Sequence, residues 1–459
     1  METYMTVREL FEQSANNNIQ DGLHVEINGW IMSNRFMGNM GFLNFNDGTC
    51  FKNAQLVYSK DLKDFEVAEK LRLGCSVNIK GVFKLTPEAR QPFDIELTDI
   101  KLIGGVDDSY PLQKKKTSFE FLRSIPHLRP KTNTFRAVYR VRSVLSMAIH
   151  EFFQGEGFVY VHTPLLTSND CEGAGQTFLV ASDLRHPEEY FGKKVSLTVS
   201  GQLHVEPFCQ AFRDVYTFGP AFRAEKSNTT HHASEFWMVE PEIAFADLYD
   251  DMDLIEDFLK YITKYVMANC KDEIDFFDER IEPGLKKKLE DFVNKDFIEV
   301  EYTKAIDILL EAKKNGHKFN NDNIYWGLDL ESEHERYLTE QVFKGPIFLT
   351  NYPKEIKSFY MKQNKDGKTV AAVDLLVPEI GELVGGSQRE EDLDTLLKRM
   401  EELGMDIKNY QWYLDLRRYG SCPHAGFGLG FERMLQFLTG MQNIRDVECY
   451  PRTYRECEF

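Results

Sequence analysis

The chain has 459 residues, 42% hydrophobic and 28% charged, with a formal net charge of −18 at pH 7. That length exceeds a single core and fits two or three domains, and the acidity argues against a nonspecific nucleic-acid coat while allowing a shaped site with local basic patches. No apolar run approaches the roughly 18 residues of a membrane helix, the N-terminus lacks a secretory pattern, and eight scattered cysteines (50, 75, 171, 209, 270, 422, 449, 457) predict reduced thiols in a cytoplasmic protein.

Met1 to about Asn18 reads as a short helix. From Val25 to about Gly105, VEINGWIM, MGFLNF, NAQLVY, CSVNIKGVFKL and FDIELTDIKLI are strand candidates separated by turn signals such as Asn46-Asp47-Gly48. Such closely spaced strands suit a small closed barrel of the OB type, with a connecting helix near Leu62–Leu71. Arg35, Phe42 and Gln55 are candidates for a face that stacks single-stranded bases, although Phe42 fits the core equally well. Residues 106–134 form a connector rich in Lys, Arg and Pro, either a solvated linker or a basic hinge against an RNA backbone.

Phe135 to Gly155 carries apolar residues at helical spacing. FVYVHTPLL and SLTVSGQLHVEPF read as strands, with the Gly-containing loop NDCEGAGQTF between them. FGPAFRAEKSNTTHHASEFWMVEPEIAF reads as two antiparallel strands joined by a long polar loop. Asp247–Asn269 is an amphipathic helix, and 271–318 a charged helical region without recognisable chemistry. IFLTNYP, SFYMKQ and AAVDLLVP read as strands, GELVGGSQREED as a turn leading to a helix, and AGFGLGFERMLQFLTG as a glycine strand running into a helix capped by Gly440. Residues 135–459 thus predict an α+β domain on an antiparallel sheet, behind a barrel over 1–105. The sequence lacks a P-loop, a dinucleotide-binding glycine motif and H-E-x-x-H.

Four stretches gather chemistry. In the hairpin, Arg223 and Glu225 share one face, and Phe236, Met238 and Glu240 another. Were those faces to coincide, a guanidinium suited to phosphate and a ring suited to a purine would meet; an ordinary Arg223–Glu225 surface pair is the plain alternative. Gly426, Gly428 and Gly430 leave one strand face bare for a flat ligand, and Arg433 follows in the first helical turn, where the helix dipole does not favour it. Asp374, Glu379 and Glu382 are candidate Mg²⁺ ligands, with a solvated turn preferred for Glu379. Ser200, Gln202 and Glu206 alternate along a strand, either around a small polar ligand or on a half-exposed face.

Pro164, Phe222-Arg223-Ala224-Glu225 and Gly426-Phe427-Gly428-Leu429-Gly430-Phe431-Glu432-Arg433 resemble motifs 1, 2 and 3 of the class II aminoacyl-tRNA synthetases. The N-terminal barrel is similar to that of the aspartate, asparagine and lysine subgroup. YPLQKKKTSFEFLR, EFWMVEPE, NYPKEIKSFYMK, GELVGGSQREE and RRYGSCPHAGFGLGFER resemble its bacterial asparagine branch. The resemblance implies adenylation of L-asparagine with ATP and Mg²⁺, transfer to tRNA(Asn), and a homodimer without a membrane anchor. It implies that Arg223, Glu225 and Arg433 are catalytic and that Arg223, Glu225, His232, Phe236, Glu382 and Arg433 bind ATP. Glu382 with Asp374 would hold the metal; Glu172, Ser200, Gln202, Glu206, Glu240 and Arg389 would surround the amino acid; Arg35, Phe42 and Gln55 would read the anticodon.

Three departures stand out. The motif 2 loop has His231-His232 where the family usually has Arg-His, Gly385 stands where aspartate enzymes place a Ser, and Asp374 to Glu382 is one residue longer than in those enzymes. Aspartate enzymes also carry a Lys where this chain has Val205, beside Glu206. Arg389 and Glu206 together would match a carboxamide, which both accepts and donates hydrogen bonds. An aspartyl enzyme, a ligase making free asparagine and a non-catalytic RNA-binding module are the competing possibilities.

Overall fold

A computed structural model describes residues 3–89, 91–113, 117–171, 176–227 and 229–459. The chain divides into two compact units, 1–137 and 138–459.

In the first unit β1 (Thr3–Tyr4) and α1 (Val7–Ala15) precede β2 (His24–Met37), β3 (Met40–Asn46), β4 (Ala54–Ser59), α2 (Phe65–Lys70), β5 (Ser76–Leu85) and β6 (Phe93–Gly104). The sheet runs β2-β3-β4-β6-β5 and closes through β2–β5 pairing, which leaves the barrel no free edge. Alternation drives it: Val25, Ile27 and Ile31 of β2 point inward with Leu43 and Phe45 of β3. Thr6 and Glu9 form a capping box that starts α1, and Val7 and Leu10 join the barrel core. The connector is not a bare linker throughout. It contains α3 (Phe119–Arg123), and Arg129 is fully buried with its guanidinium 4.4 Å over the Phe135 ring. Its Lys114–Lys116 run lies outside the described residues.

The second unit takes in α4 (Asn133–Gly155), whose first turns lie in the first, then β7 (Val159–Tyr160), β8 (Leu166–Thr167), β9 (Leu179–Val180), β10 (Val195–Leu197) and α5 (Gln202–Phe212). The hairpin is β11 (Asp214–Phe222) and β12 (Glu235–Ala244). There follow α6 (Leu248–Asn269), α7 (Lys271–Arg280), α8 (Leu285–Asn294), β13 (Ile298–Glu301), α9 (Tyr302–Lys314), α10 (Ser332–Arg336), β14 (Ile347–Thr350), β15 (Ala372–Val377), β16 (Gly381–Gln388), α11 (Leu393–Glu402), α12 (Gln411–Arg418), β17 (His424–Gly430) and α13 (Phe431–Thr439). Among the described residues eight strands form one sheet in the order β13-β14-β15-β16-β17-β12-β11-β7. It is antiparallel except at its two edges, where β13 and β7 pair in parallel.

Three segments depart from the sequence expectations. SLTVSGQLHVEPF is a strand only over Val195–Leu197; Gly201 then caps α5, with Pro207 inside the helix. Its buried positions are Gln202, Leu203, Val205, Glu206 and Cys209, of which Gln202, Val205, Glu206 and Cys209 follow helical spacing that the polar pair conceals. GELVGGSQ is a central strand rather than a turn. Its glycines answer crowding, since a Cβ on Gly386 would stand 2.7 Å from Asp251 Oδ2 and 2.9 Å from Phe427 Cβ. SFYMKQ makes only isolated bridges, Met361 to Arg389 and Gln363 to Val370. The charged region 271–318 supplies β13 and so extends the sheet.

Asp251 on α6 lies behind this sheet, fully buried, and neither carboxyl oxygen has a hydrogen-bond partner among the described residues. Burial raises its pKa well above the usual carboxylate range, and Arg389 only partly opposes this. A raised folded-state value means that stability is greatest below the unfolded pKa of about 3.9 and is lost as pH rises through the folded value. Asp251→Asn removes that ionisation. The melting temperature of the variant should fall less than that of the natural protein between pH 5 and pH 8; parallel curves would contradict the assignment.

Candidate active site

The pairing register assembles one surface from three neighbouring strands. On β17, Gly426 faces Glu242 of β12 and Ser387 of β16, Gly428 faces Gly385, and Gly430 faces Met238. The bare face predicted for the glycines is filled by neighbouring side chains: a Cβ on Gly426 would stand 2.5 Å from the Glu242 carboxyl carbon, and one on Gly428 2.8 Å from Met238 Cε.

At one end lies a cavity of about 150 Å³ lined by Arg223, Glu225, His231, His232, Phe236, Glu382 and Arg433. The structure therefore brings together the residues expected to bind ATP. Arg223 and Glu225 stand just beyond β11 rather than on it, though Arg223 still donates its N–H to Ser234 O at 3.0 Å. The Arg223 guanidinium lies 5.1 Å over the Phe236 ring. Arg433 donates to the carbonyl of Glu382 at 2.8 Å, which gives its charge a partner in the first turn of α13. Next to it Glu432 accepts from Arg142 at 2.7 Å and from the Trp237 N–H at 2.9 Å, tying α13 to α4 and β12. His232 Nδ1 lies 2.8 Å from Ser227 Oγ and its Nε2 lies 3.9 Å from Glu225. The loop is braced from the C-terminal segment: Ile444 donates to Thr230 O at 2.8 Å and Ser234 to Arg452 O at 2.7 Å. Burial, and then the Arg433 charge, lower the pKa of His231, so it does not replace an arginine as a fixed cation.

The other end is buried. Glu240 accepts from the Ser200 hydroxyl and, at 2.8 Å, from the Gly201 N–H. Gln202 donates its side-chain amide to Glu206 at 3.1 Å. Arg389 is 2% exposed. Its Nε and Nη2 grip Glu242, its Nη1 donates to Ser387 Oγ at 2.8 Å, and its plane lies 5.2 Å over Tyr360. Glu206 does not sit as an open acceptor. Tyr413 donates to it at 2.9 Å and Arg417 at 3.1 Å, and His424 Nε2 lies 3.1 Å away. Burial would raise its pKa, but Arg417 and His424 outweigh burial and hold it below the usual carboxylate range. Glu206 thus lies beneath Gln202 with both carboxylate oxygens already engaged by protein groups. Glu172 lies outside the described residues.

Asp374 and Glu382 converge over Gly385, where a Cβ would stand 3.4 Å from Asp374 Oδ1 and 3.2 Å from Glu382 Oε1. Two hard carboxylates beside a phosphate-sized cavity suit Mg²⁺, which binds one or two carboxylates together with substrate phosphates. Among the described residues no group of three or more side chains forms a complete metal cage. Burial and then Glu382 push the neighbouring Glu335 up to about 8. Glu379, in the turn before β16, pairs with Lys288 at 2.9 Å, as a solvated turn should. In the barrel, Arg35 lies 5.7 Å over Phe42, and Gln55 donates to Asp94 at 3.0 Å. Phe42 is half-buried and lies outside the barrel core.

Glu242, Ser387, Tyr360, Arg417, Tyr413 and His424 escaped the sequence analysis. Only Glu242 left a trace, two residues after Glu240 on the same strand face.

The family profile described as tRNA synthetases class II (D, K and N) matches residues 120–454, and that of the OB-fold nucleic acid binding domain matches 25–103. The chain belongs to the class II aminoacyl-tRNA synthetases. It is 53% identical to an asparagine–tRNA ligase of Clostridium beijerinckii, covering 98% of this chain and 100% of the relative. It is 54% identical to one of Acetivibrio thermocellus, covering 95% and 96%. The fold is similar to asparaginyl-tRNA synthetase of Pyrococcus horikoshii in complex with asparaginyl-adenylate, with a TM-score of 0.85, 36% identity, and coverage of 95% and 97%. None of the eight cysteines is in a disulfide, and among the described residues no helix is long and apolar enough to cross a membrane.

Gly426→Ala should push Glu242 aside and carry Arg389 with it. Misplacing a positioning group can cost about 10²-fold. We expect kcat/KM for the amino acid to fall by about that factor while KM for ATP stays within about twofold; equal losses on both substrates would count against a local effect.

Proposed function

We propose that this synthetase is an asparagine–tRNA ligase. The observation that carries the proposal is the joining of two unlike half-sites on one glycine strand, a cationic nucleotide cavity and a buried polar pocket, in a chain akin over nearly its full length to enzymes of that name. Arg223 and Arg433 are suited to hold the α-phosphate and the adenine ring, with Phe236 on the other face. Ser200, Gln202 and Glu240 are suited to the α-ammonium, and Arg389 to the side-chain carbonyl. An amino-acid carboxylate oxygen attacks the α-phosphorus in line, the bond to the β-phosphate bridge breaks, and pyrophosphate leaves. The terminal 3′-hydroxyl of tRNA(Asn) then attacks the adenylate carbonyl and AMP leaves. No protein nucleophile takes part; positioning and electrostatics carry both steps. Mg²⁺, held by Glu382 and Asp374, would neutralise charge on the triphosphate.

The charge of the pocket favours the amide. Arg389 is already neutralised by Glu242, and Val205 contributes no cation. An aspartate carboxylate would find no uncompensated positive partner there, whereas a neutral carboxamide needs none. Arg35, Phe42 and Gln55 are suited to stack and hydrogen-bond anticodon bases. A homodimer accords with apolar side chains left exposed on β7, β8 and β9, namely Val159, Leu166 and Leu179. We place the protein in the cytoplasm, where free thiols persist.

ATP–pyrophosphate exchange across the twenty amino acids should respond to asparagine, with aspartate lower by at least about 10³-fold. Arg433→Ala should lower exchange by about 10²–10³-fold. Exchange driven by aspartate, or untouched by Arg433→Ala, would defeat the assignment.

A further inference from the structure

Lys357 has no role in the scheme above. It follows a helical turn at Lys354–Ile356 and reaches into the carboxylates beside the nucleotide cavity. Its Nζ lies 2.5 Å from Asp374 Oδ2 and 3.9 Å from the centroid of the Tyr352 ring, and its side chain is 16% exposed. Tyr352, itself buried, presents its ring face to that ammonium. The two oxygens of Asp374 are thereby divided. Oδ2 is held by an ammonium, while Oδ1 turns with Glu382 Oε1 toward the space over Gly385. Glu382 lines the nucleotide cavity and Asp374 stands behind it. A dication between the two carboxylates would share Asp374 with a fixed positive charge a few ångströms away, in a half-buried place where such repulsion is poorly screened.

We propose that Lys357 is a resident counter-cation of the nucleotide-metal site. It neutralises Asp374 in the free protein and so keeps affinity for a lone divalent ion low. The ion is then taken up together with a triphosphate, whose negative charge outweighs the ammonium. This rests on Asp374 and Glu382 being the Mg²⁺ ligands. The consequence is an order of events: metal arrives on the nucleotide and does not wait in the site.

Mn²⁺ alone, titrated into the full-length protein and followed by the electron paramagnetic resonance of the free ion, tests this without turnover. The natural protein should bind Mn²⁺ at least about tenfold more weakly without nucleotide than with a non-hydrolysable ATP analogue. Equal affinity in the two cases overturns the proposal and needs no variant. Lys357→Met should bind Mn²⁺ alone at least about tenfold tighter than the natural protein, and Lys357→Arg should not. An unchanged Lys357→Met, shown to be folded by circular dichroism, also overturns it. Because Lys357→Met strips a buried carboxylate of its cation, Lys357→Gln serves as a second neutral variant with a polar head. Glu382→Gln separates the two layers. If it leaves Mn²⁺ binding in the analogue complex intact, the ligand assignment has failed. If it weakens that binding while Lys357→Met changes nothing, only the role of Lys357 has failed.

Discussion

The ion pair between Arg389 and Glu242 is the constraint around which the second unit is arranged. Both side chains are taken out of water, and a buried charge without its partner costs about 3–5 kcal/mol. The pair therefore dictates its surroundings. Gly426 must lack a side chain because the Pro241 carbonyl and the Glu242 carboxyl fill its place, and Ser387 sits beside Arg389 to take the remaining guanidinium nitrogen. Tyr360 must lie beneath the guanidinium plane, which holds the irregular segment after Lys357 against the sheet. Three strands and a loop are thus registered by one electrostatic contact.

A second buried set repeats the rule nearby. Glu206 on α5 is met by Arg417 and Tyr413 from α12 and by His424 at the start of β17. Neither set needs solvent to balance its charge, so the pocket floor can be polar and still rigid. The nucleotide end is built on another plan. Its guanidiniums are half-exposed, that of Arg223 over an aromatic ring and that of Arg433 against a backbone carbonyl. His231 fits that plan, because burial, and then Arg433 beside it, make a third positive charge unfavourable.

What could be read in the sequence follows from this division. The barrel strands, the hairpin and the glycine strand entering α13 were legible because each carries its own local signal: alternation, a polar loop, glycines at every second position. The buried polar support was not. Gln202 and Glu206 lie on the inner face of α5, where their polarity breaks the apolar stripe that marks a helix, so the segment passed for a strand. Gly386 reads as part of a turn because the crowding that requires glycine there comes from α6 and β17, outside the segment itself. Arg417, Tyr413 and His424 meet Glu206 across more than 200 residues, and no local pattern marks them. Resemblance singled out Arg389 and Glu240 but carried nothing about the partners that hold them in place.

The two carboxylate–cation pairs of this domain also show why arginine serves one end and lysine the other. In the proposed reading Arg389 would present a fixed edge to a substrate while Glu242 grips two of its nitrogens, and a planar fork can do both. Lys357 has no substrate to orient. It has to supply one positive charge to one oxygen of Asp374 and leave the other oxygen free. A compact ammonium does that, whereas a guanidinium placed there would tend to span both oxygens and close the approach to Gly385. On the proposed reading the chemistry of each cation matches the demand of its site, geometry where an amide would be bound and bare charge where a metal would be held off until its nucleotide arrives.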